Sequence, residues 1–91
     1  MSTSTTPDQA VRTSTARPWT VILYNDDVHA FDEVVMQVQQ ATGSSEEKAY
    51  QVTLEAHSRG KSVVFTGPVE ECQRVARVLR RIRLQVEVDE G

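Results

Sequence analysis

The chain has little of what holds or advertises many small proteins. It carries one cysteine, Cys72, in 91 residues, so no internal disulfide can form, and a reducing compartment is expected. Basic residues are in deficit: ten Lys and Arg against thirteen Asp and Glu give a net charge of −3. The basic face of a nucleic-acid binder is therefore not expected. No apolar run approaches the ~18 residues that a membrane span needs. The N-terminus has no apolar core of the signal-peptide kind, so a cytoplasmic protein is expected. There is no internal repeat, and no His-x-x-His or Cys-x-x-Cys spacing that would mark a metal site. Glycine and proline are scarce, at four and three, and most of them fall at element boundaries.

What is present divides at Pro18. Residues 1–17 hold eight Ser or Thr, no aromatic, and Val11 as their one large aliphatic besides Met1. Such a segment buries too little apolar surface to offset its ordering entropy, and it reads as a disordered tail. Residues 18–91 form one small domain. Trp19-Thr-Val-Ile-Leu-Tyr24 is rich in β-branched and aromatic residues and apolar on both pleat faces, as suits a central strand. Phe31, Val34, Val35 and Val38 follow helical spacing, with Asp32 and Glu33 in the first turn and Gly43 at the end. Ser44 with Glu47 has the pattern of a capping box, opening a second helix whose inner face is Ala49, Val52, Thr53 and Ala56. Gly60 stops it. Ser62–Thr66 reads as a second strand, and Pro68 as the first residue of a third helix that buries Cys72, Val75, Ala76 and Leu79. Leu84, Val86 and Val88 alternate with polar residues in a last, half-buried strand.

The order β-α-α-β-α-β predicts an α+β two-layer sandwich. The single-helix crossover makes strands two and three parallel. With the most apolar strand between them, the sheet is antiparallel in the order 2-1-3, and three helices cover one face.

Between the first strand and the first helix lies Asn25-Asp26-Asp27-Val28-His29-Ala30. Three consecutive polar acceptors are poor core material. One reading is a turn, since Asn and Asp bond their own backbone. The other is a binding site. His57, late in the second helix beside Ala56, is on pattern alone an ordinary boundary residue.

Together these stretches become specific. Thr20-Val-Ile-Leu-Tyr-Asn-Asp-Asp27, an amphipathic helix, and Ala56-His-Ser-Arg-Gly-Lys61 resemble the ClpS family, adaptors that hand N-degron substrates to a Clp AAA+ unfoldase and protease. The resemblance runs from about Val21 to Val78 and implies the same sandwich fold. It implies a binding module, no catalysis and no cofactor or metal. The ligand is a polypeptide whose first residue is Leu, Phe, Tyr or Trp. An ammonium has three donors and needs convergent acceptors. Asn25, Asp26 and His57 match the family residues that supply them, and Asp27 matches the third residue of the signature. Phe31, Val34, Thr53, Ala56 and Leu84 match the walls of the side-chain pocket. The partner implied is the N-terminal domain of a ClpA- or ClpC-type unfoldase, met by a monomer, with Glu70 and Arg74 on the outer face of the third helix as docking candidates. His29-Ala30 departs from the family's usual Thr-Pro, Thr53 replaces a longer apolar residue, and Phe31 replaces the frequent Met.

Three other function classes compete. Asp26, Asp27, His29 and His57 are possible metal ligands, but they have no metal-site spacing. Ser58 beside His57 gives no Ser-His pair, because adjacent helical side chains diverge. A ribosomal-stalk-like domain shares the topology but leaves the acceptor cluster unexplained.

Overall fold

A computed structural model describes residues 17–90; all of the expected tail except Arg17 lies outside them. The elements are β1 (Trp19–Tyr24), α1 (Phe31–Thr42), α2 (Glu46–Arg59), β2 (Lys61–Gly67), α3 (Val69–Arg80) and β3 (Val86–Glu90). The sheet has the order β2-β1-β3, and both neighbours run antiparallel to β1. The two-layer sandwich expected from the element order is what forms.

β1 is central because its alternate residues serve two faces. Val21 and Leu23 are fully buried against the helices, while Thr20, Ile22 and Tyr24 lie half-buried on the open face. Its apolar second face thus marks a central strand and not a third layer. The helix layer is built from short side chains. Val34, Val35, Val38 and Ala41 of α1 meet Ala49, Val52 and Ala56 of α2 and Cys72, Val75 and Leu79 of α3 in one cluster. Burial pushes the Cys72 thiol up, which leaves it a packing residue rather than a nucleophile.

Side-chain hydrogen bonds tie the elements together at specific points. Gln37 Nε2 donates to the Val78 carbonyl at 2.7 Å, joining α1 to α3. Arg74 Nη1 donates to the Ala41 carbonyl at 3.2 Å, satisfying an acceptor in the last turn of α1. Ser62 Oγ donates to the Val52 carbonyl at 2.7 Å, fixing β2 beneath α2.

Three sequence expectations shift by a residue or two. Ser45, not Ser44, caps α2: its Oγ accepts from the Lys48 N–H, whereas Ser44 Oγ accepts from Thr42 Oγ1. Gly43 has already turned left-handed (φ 71°), which sets the helix start one residue later than the Ser44–Glu47 pattern implies. Pro68 is the N-cap of α3 rather than its first helical residue, with extended ψ of 149°. β3 begins at Val86, because Arg83 takes a left-handed turn (φ 67°) and the Leu84 N–H returns to the Leu79 carbonyl at 3.4 Å.

Leu79 is fully buried at the centre of this cluster. Leu79→Ala removes a large side chain where Val and Ala neighbours cannot collapse to fill the gap. Urea denaturation is expected to show a loss of ~2–5 kcal/mol in unfolding free energy. A loss below ~0.5 kcal/mol, the range of neutral surface changes, would mean that α3 does not pack as described.

Candidate functional site

The site is assembled by one reversal of the chain. Gly60 adopts φ 96° and caps α2, its N–H donating to the Ala56 carbonyl. The chain then enters β2 with Lys61 opposite Tyr24. The Asn25 N–H donates to the Gly60 carbonyl at 2.9 Å, so the first residue after β1 is bonded to the residue that ends α2. His57 lies one helical turn before that point. Two stretches separated by 25 residues in sequence, Asn25–Ala30 and Ala56–Gly60, are thereby held side by side.

Between them a cavity of about 260 Å³ opens at one end of the helix layer. Its apolar lining comes from Leu23, Phe31, Val34, Thr53 and Ala56, and its polar rim from Asn25, Asp26, Asp27, His29 and His57, with Tyr24 alongside. The space exists because α2 presents only Thr53 and Ala56 over Leu23. Thr53 is buried, and its hydroxyl donates to the Ala49 carbonyl at 2.7 Å. Its one polar atom is thus satisfied within the helix. Phe31 forms a wall, edge-on to Tyr50 at 5.1 Å and to His57 at 6.5 Å between ring centroids. The volume is smaller than the ~300–1,000 Å³ of drug-sized ligand sites. It suits a single large side chain.

The rim presents acceptors. Asn25 Nδ2 donates to Asp27 Oδ1 at 3.3 Å, which commits the amide nitrogen and leaves its oxygen as the acceptor. Asp26 Oδ2 accepts from the backbone N–H groups of Val28 and His29 and lies 2.7 Å from His29 Nδ1. The Asp26 and His29 side chains are only 11% and 16% exposed, whereas Asn25 and His57 are exposed. Burial alone would push the Asp26 carboxyl up. The hydrogen bonds from the His29 backbone and ring, the charge of His29 and the Val28 N–H outweigh it and hold the carboxyl below the usual value. His29 moves the other way. Its hydrogen bond to Asp26 raises it, burial opposes, and the charge of Asp26, the Ile82 backbone and the charge of Glu33 add to the rise.

Leu84 does not line this cavity. It is buried in the core near Leu79 and borders a separate shallow cleft with Tyr24, Arg80, Gln85, Val86 and Glu87. The reason is topological: β3 pairs with the edge of β1 opposite β2, and the short turn after α3 keeps Leu84 on that side. Arg74 pairs with Glu71 at 2.9 Å rather than with Glu70, which is exposed at the start of α3. Sequence reasoning did not assign site roles to Leu23, Tyr24, Tyr50 or the His29–Asp26 pair. Tyr50, Thr53 and His57 stand at i, i+3 and i+7 on α2, a spacing that was available. Tyr24 ends the strand and donates its hydroxyl to Glu87 Oε1 at 2.7 Å. His29 was named only as a departure from the family pattern and as a possible metal ligand, not as a partner of Asp26; the N-cap of α1, Ala30, has no side-chain cap. Among the described residues, no group of three or more His, Cys, Asp or Glu side chains is placed to hold a metal ion. No helix there is long and apolar enough to cross a membrane.

The family model for ATP-dependent Clp protease adaptor protein ClpS matches residues 14–87. The chain belongs to the ClpS family. That family consists of adaptor proteins and not enzymes. An ATP-dependent Clp protease adapter protein ClpS of Streptomyces avermitilis is 37% identical over 57 residues, 63% of this chain and 54% of that protein. Its counterpart in Mycobacterium marinum is 35% identical over 63 residues, 69% of this chain and 62% of that protein. The chain thus spans little more than half the length of these relatives. Among solved structures, Agrobacterium tumefaciens ClpS2 bound to L-phenylalaninamide superposes with a TM-score of 0.70 at 20% identity, covering 80% of this chain and 98% of that one. That likeness supports the ClpS fold.

The Asp26–His29 pair has a pH signature. A raised His29 contributes fully below its ordinary value of ~6.5 and loses that contribution as pH rises through the folded value. A lowered Asp26 contributes fully above ~3.9 and fades as acid protonates it at its depressed value. The pair is therefore strongest between about pH 4 and 6.5. An NMR titration of the His29 ring is expected to give a midpoint above the ordinary His value, returning towards it in Asp26→Asn. An unshifted midpoint in the parent chain would remove the pair.

Proposed function

We propose that this ClpS-family chain binds the free N-terminus of polypeptides whose first residue is large and hydrophobic, and delivers them to a Clp AAA+ unfoldase and its protease. The observation that carries the reading is the acceptor rim of Asn25, Asp26 and His57 at the mouth of an apolar cavity of about 260 Å³. A primary ammonium has three donors and no acceptor, and this rim offers acceptors from three side chains. The carbon beside that ammonium carries the first side chain, and the apolar walls of Phe31, Val34, Thr53 and Ala56 start next to the rim. L-phenylalaninamide, bound by the Agrobacterium relative, joins a primary amine to a large apolar group in the same way.

In this reading Asn25 accepts through its side-chain oxygen, Asp26 supplies the negative charge, and His57 accepts through a ring nitrogen. Asp27 orients the Asn25 amide. Leu, Phe, Tyr and Trp are the side chains the cavity takes, with the short Thr53 leaving depth for the larger ones. The chain works as a monomer in the cytoplasm. It docks on the N-terminal domain of a ClpA- or ClpC-type unfoldase through the exposed start of α3. Glu70 is the freer of the two docking candidates there, since Arg74 already holds Glu71 and the Ala41 carbonyl.

A labelled peptide beginning with free Phe is expected to bind, and its N-acetylated twin to lose binding. Acetylation removes the charge and two of the three donors while leaving the side chain intact. Charge-assisted contacts are worth ~1.5–3 kcal/mol each, so the twins should differ by at least ~10-fold in fluorescence anisotropy. Twins that bind alike would end the ammonium reading.

A further inference from the structure

Asp26 spends one of its two oxygens inside its own loop. Oδ2 accepts from the Val28 and His29 backbone N–H groups and from the His29 ring, and among the described residues Oδ1 has no hydrogen-bond partner. A carboxylate has about four lone-pair sites, so half of its capacity remains for a ligand. The His29 ring lines the same cavity, and it also stands against the backbone of Ile82, in the turn that joins α3 to β3. The ring therefore gives the acceptor loop its own tie to the α3–β3 connection, which β1 meets separately through the Tyr24 N–H donating to the Gln85 carbonyl at 3.0 Å. The backbone donors of Val28 and His29 move with the loop and cannot do this.

We infer that His29 is a positioning residue of the acceptor cluster: its imidazole clamps Asp26 by Oδ2 and anchors the 25–30 loop on the α3–β3 turn, so that Oδ1 is held for the primary ammonium of a ligand. This rests on the ammonium-binding reading above. The groups around the ring are Asp26 and Asp27 in its loop, Glu33 on α1, and His57 on α2 across the cavity mouth; the α3–β3 turn presents the Ile82 backbone, flanked by Arg81 and Arg83. An acceptor held before binding need not be ordered by the ligand, and pre-organisation of this kind is a direct gain in affinity. It also makes the site sensitive to how many N–H groups the ligand's nitrogen offers, because a fixed acceptor cannot follow a displaced donor.

The test compares two peptides, one beginning with Phe and one with N-methyl-Phe, on the parent chain, His29→Ala and His29→Asn. Asn places its Nδ2 where the imidazole has Nδ1, so it keeps the donor to Asp26. His29→Ala is expected to weaken the Phe peptide by about tenfold, the worth of one charge-assisted contact. The N-methyl peptide should weaken less, so the preference for the primary amine shrinks, while the order among Phe, Leu and Trp peptides stays. His29→Asn should recover the Phe affinity to within ~3-fold of the parent. If both peptides fall by one common factor, or neither changes, the positioning role is overturned. If thermal melting shows His29→Ala unfolded, His29→Asn decides: a folded protein keeping the parent preference supports the inference, and one that loses it contradicts it. Failure of the underlying reading looks different, since the parent chain would then not distinguish free from acetylated peptides.

Discussion

The hydrogen bond from the Asn25 N–H to the Gly60 carbonyl sets the position of the proposed binding site. It closes the corner where β1 ends, α2 ends and β2 begins. Gly60 makes the corner possible, because the reversal from helix to antiparallel strand is made at φ 96°, a conformation that costs residues with a Cβ ~1–2 kcal/mol. Once closed, the corner leaves the polar segment 25–30 and the last turn of α2 no choice but to face each other. The acceptor cluster is thus a product of sheet register, since a one-residue slip of β2 against β1 would separate Asn25 from His57 and reverse every side chain of the strand.

Side-chain size then decides what lies behind the cluster. The helix layer packs on β1 with valines and alanines, which lets the three helices approach closely. At the corner the same economy leaves a hole. Thr53 and Ala56 are too short to reach Phe31 and Val34 across Leu23, and among the described residues no neighbouring side chain enters the gap. A domain this small has little burial to spare, so an unfilled apolar space is a cost to stability. In the proposed function, a ligand side chain would restore those contacts, with its ammonium at the acceptor rim.

Much of this was legible in the sequence because local signals agreed. Helical spacing named the inner faces of all three helices, and the pattern of Val86 and Val88 fixed the last strand. The element order gave the sheet its 2-1-3 arrangement without reference to any relative. Capping positions were less legible, since Ser44 and Ser45 both offer a hydroxyl and only the backbone of Gly43 chooses between them. His29 was illegible for a different reason. Its partner Asp26 is three residues away and readable, but its second neighbour, Ile82, is brought close by the turn after α3. Leu84 shows the converse error: its apolar character was clear, but the side of β1 on which it would fall depended on a short connection whose path no pattern encodes. The roles of Asn25, Asp26 and His57 came from resemblance, and the geometry adds that their side chains stand on the rim of one cavity.

The most direct test of the account is a map of where a minimal ligand sits. Backbone amide NMR spectra of the chain, recorded while L-phenylalaninamide is added, would show it. The account predicts that shift changes concentrate at Tyr24–Phe31 and at Thr53–Gly60, with Val34 responding from the cavity wall. Changes centred on the open face of the sheet, at Ile22, Val63 and Glu87, or along α3, with the corner unmoved, would contradict it.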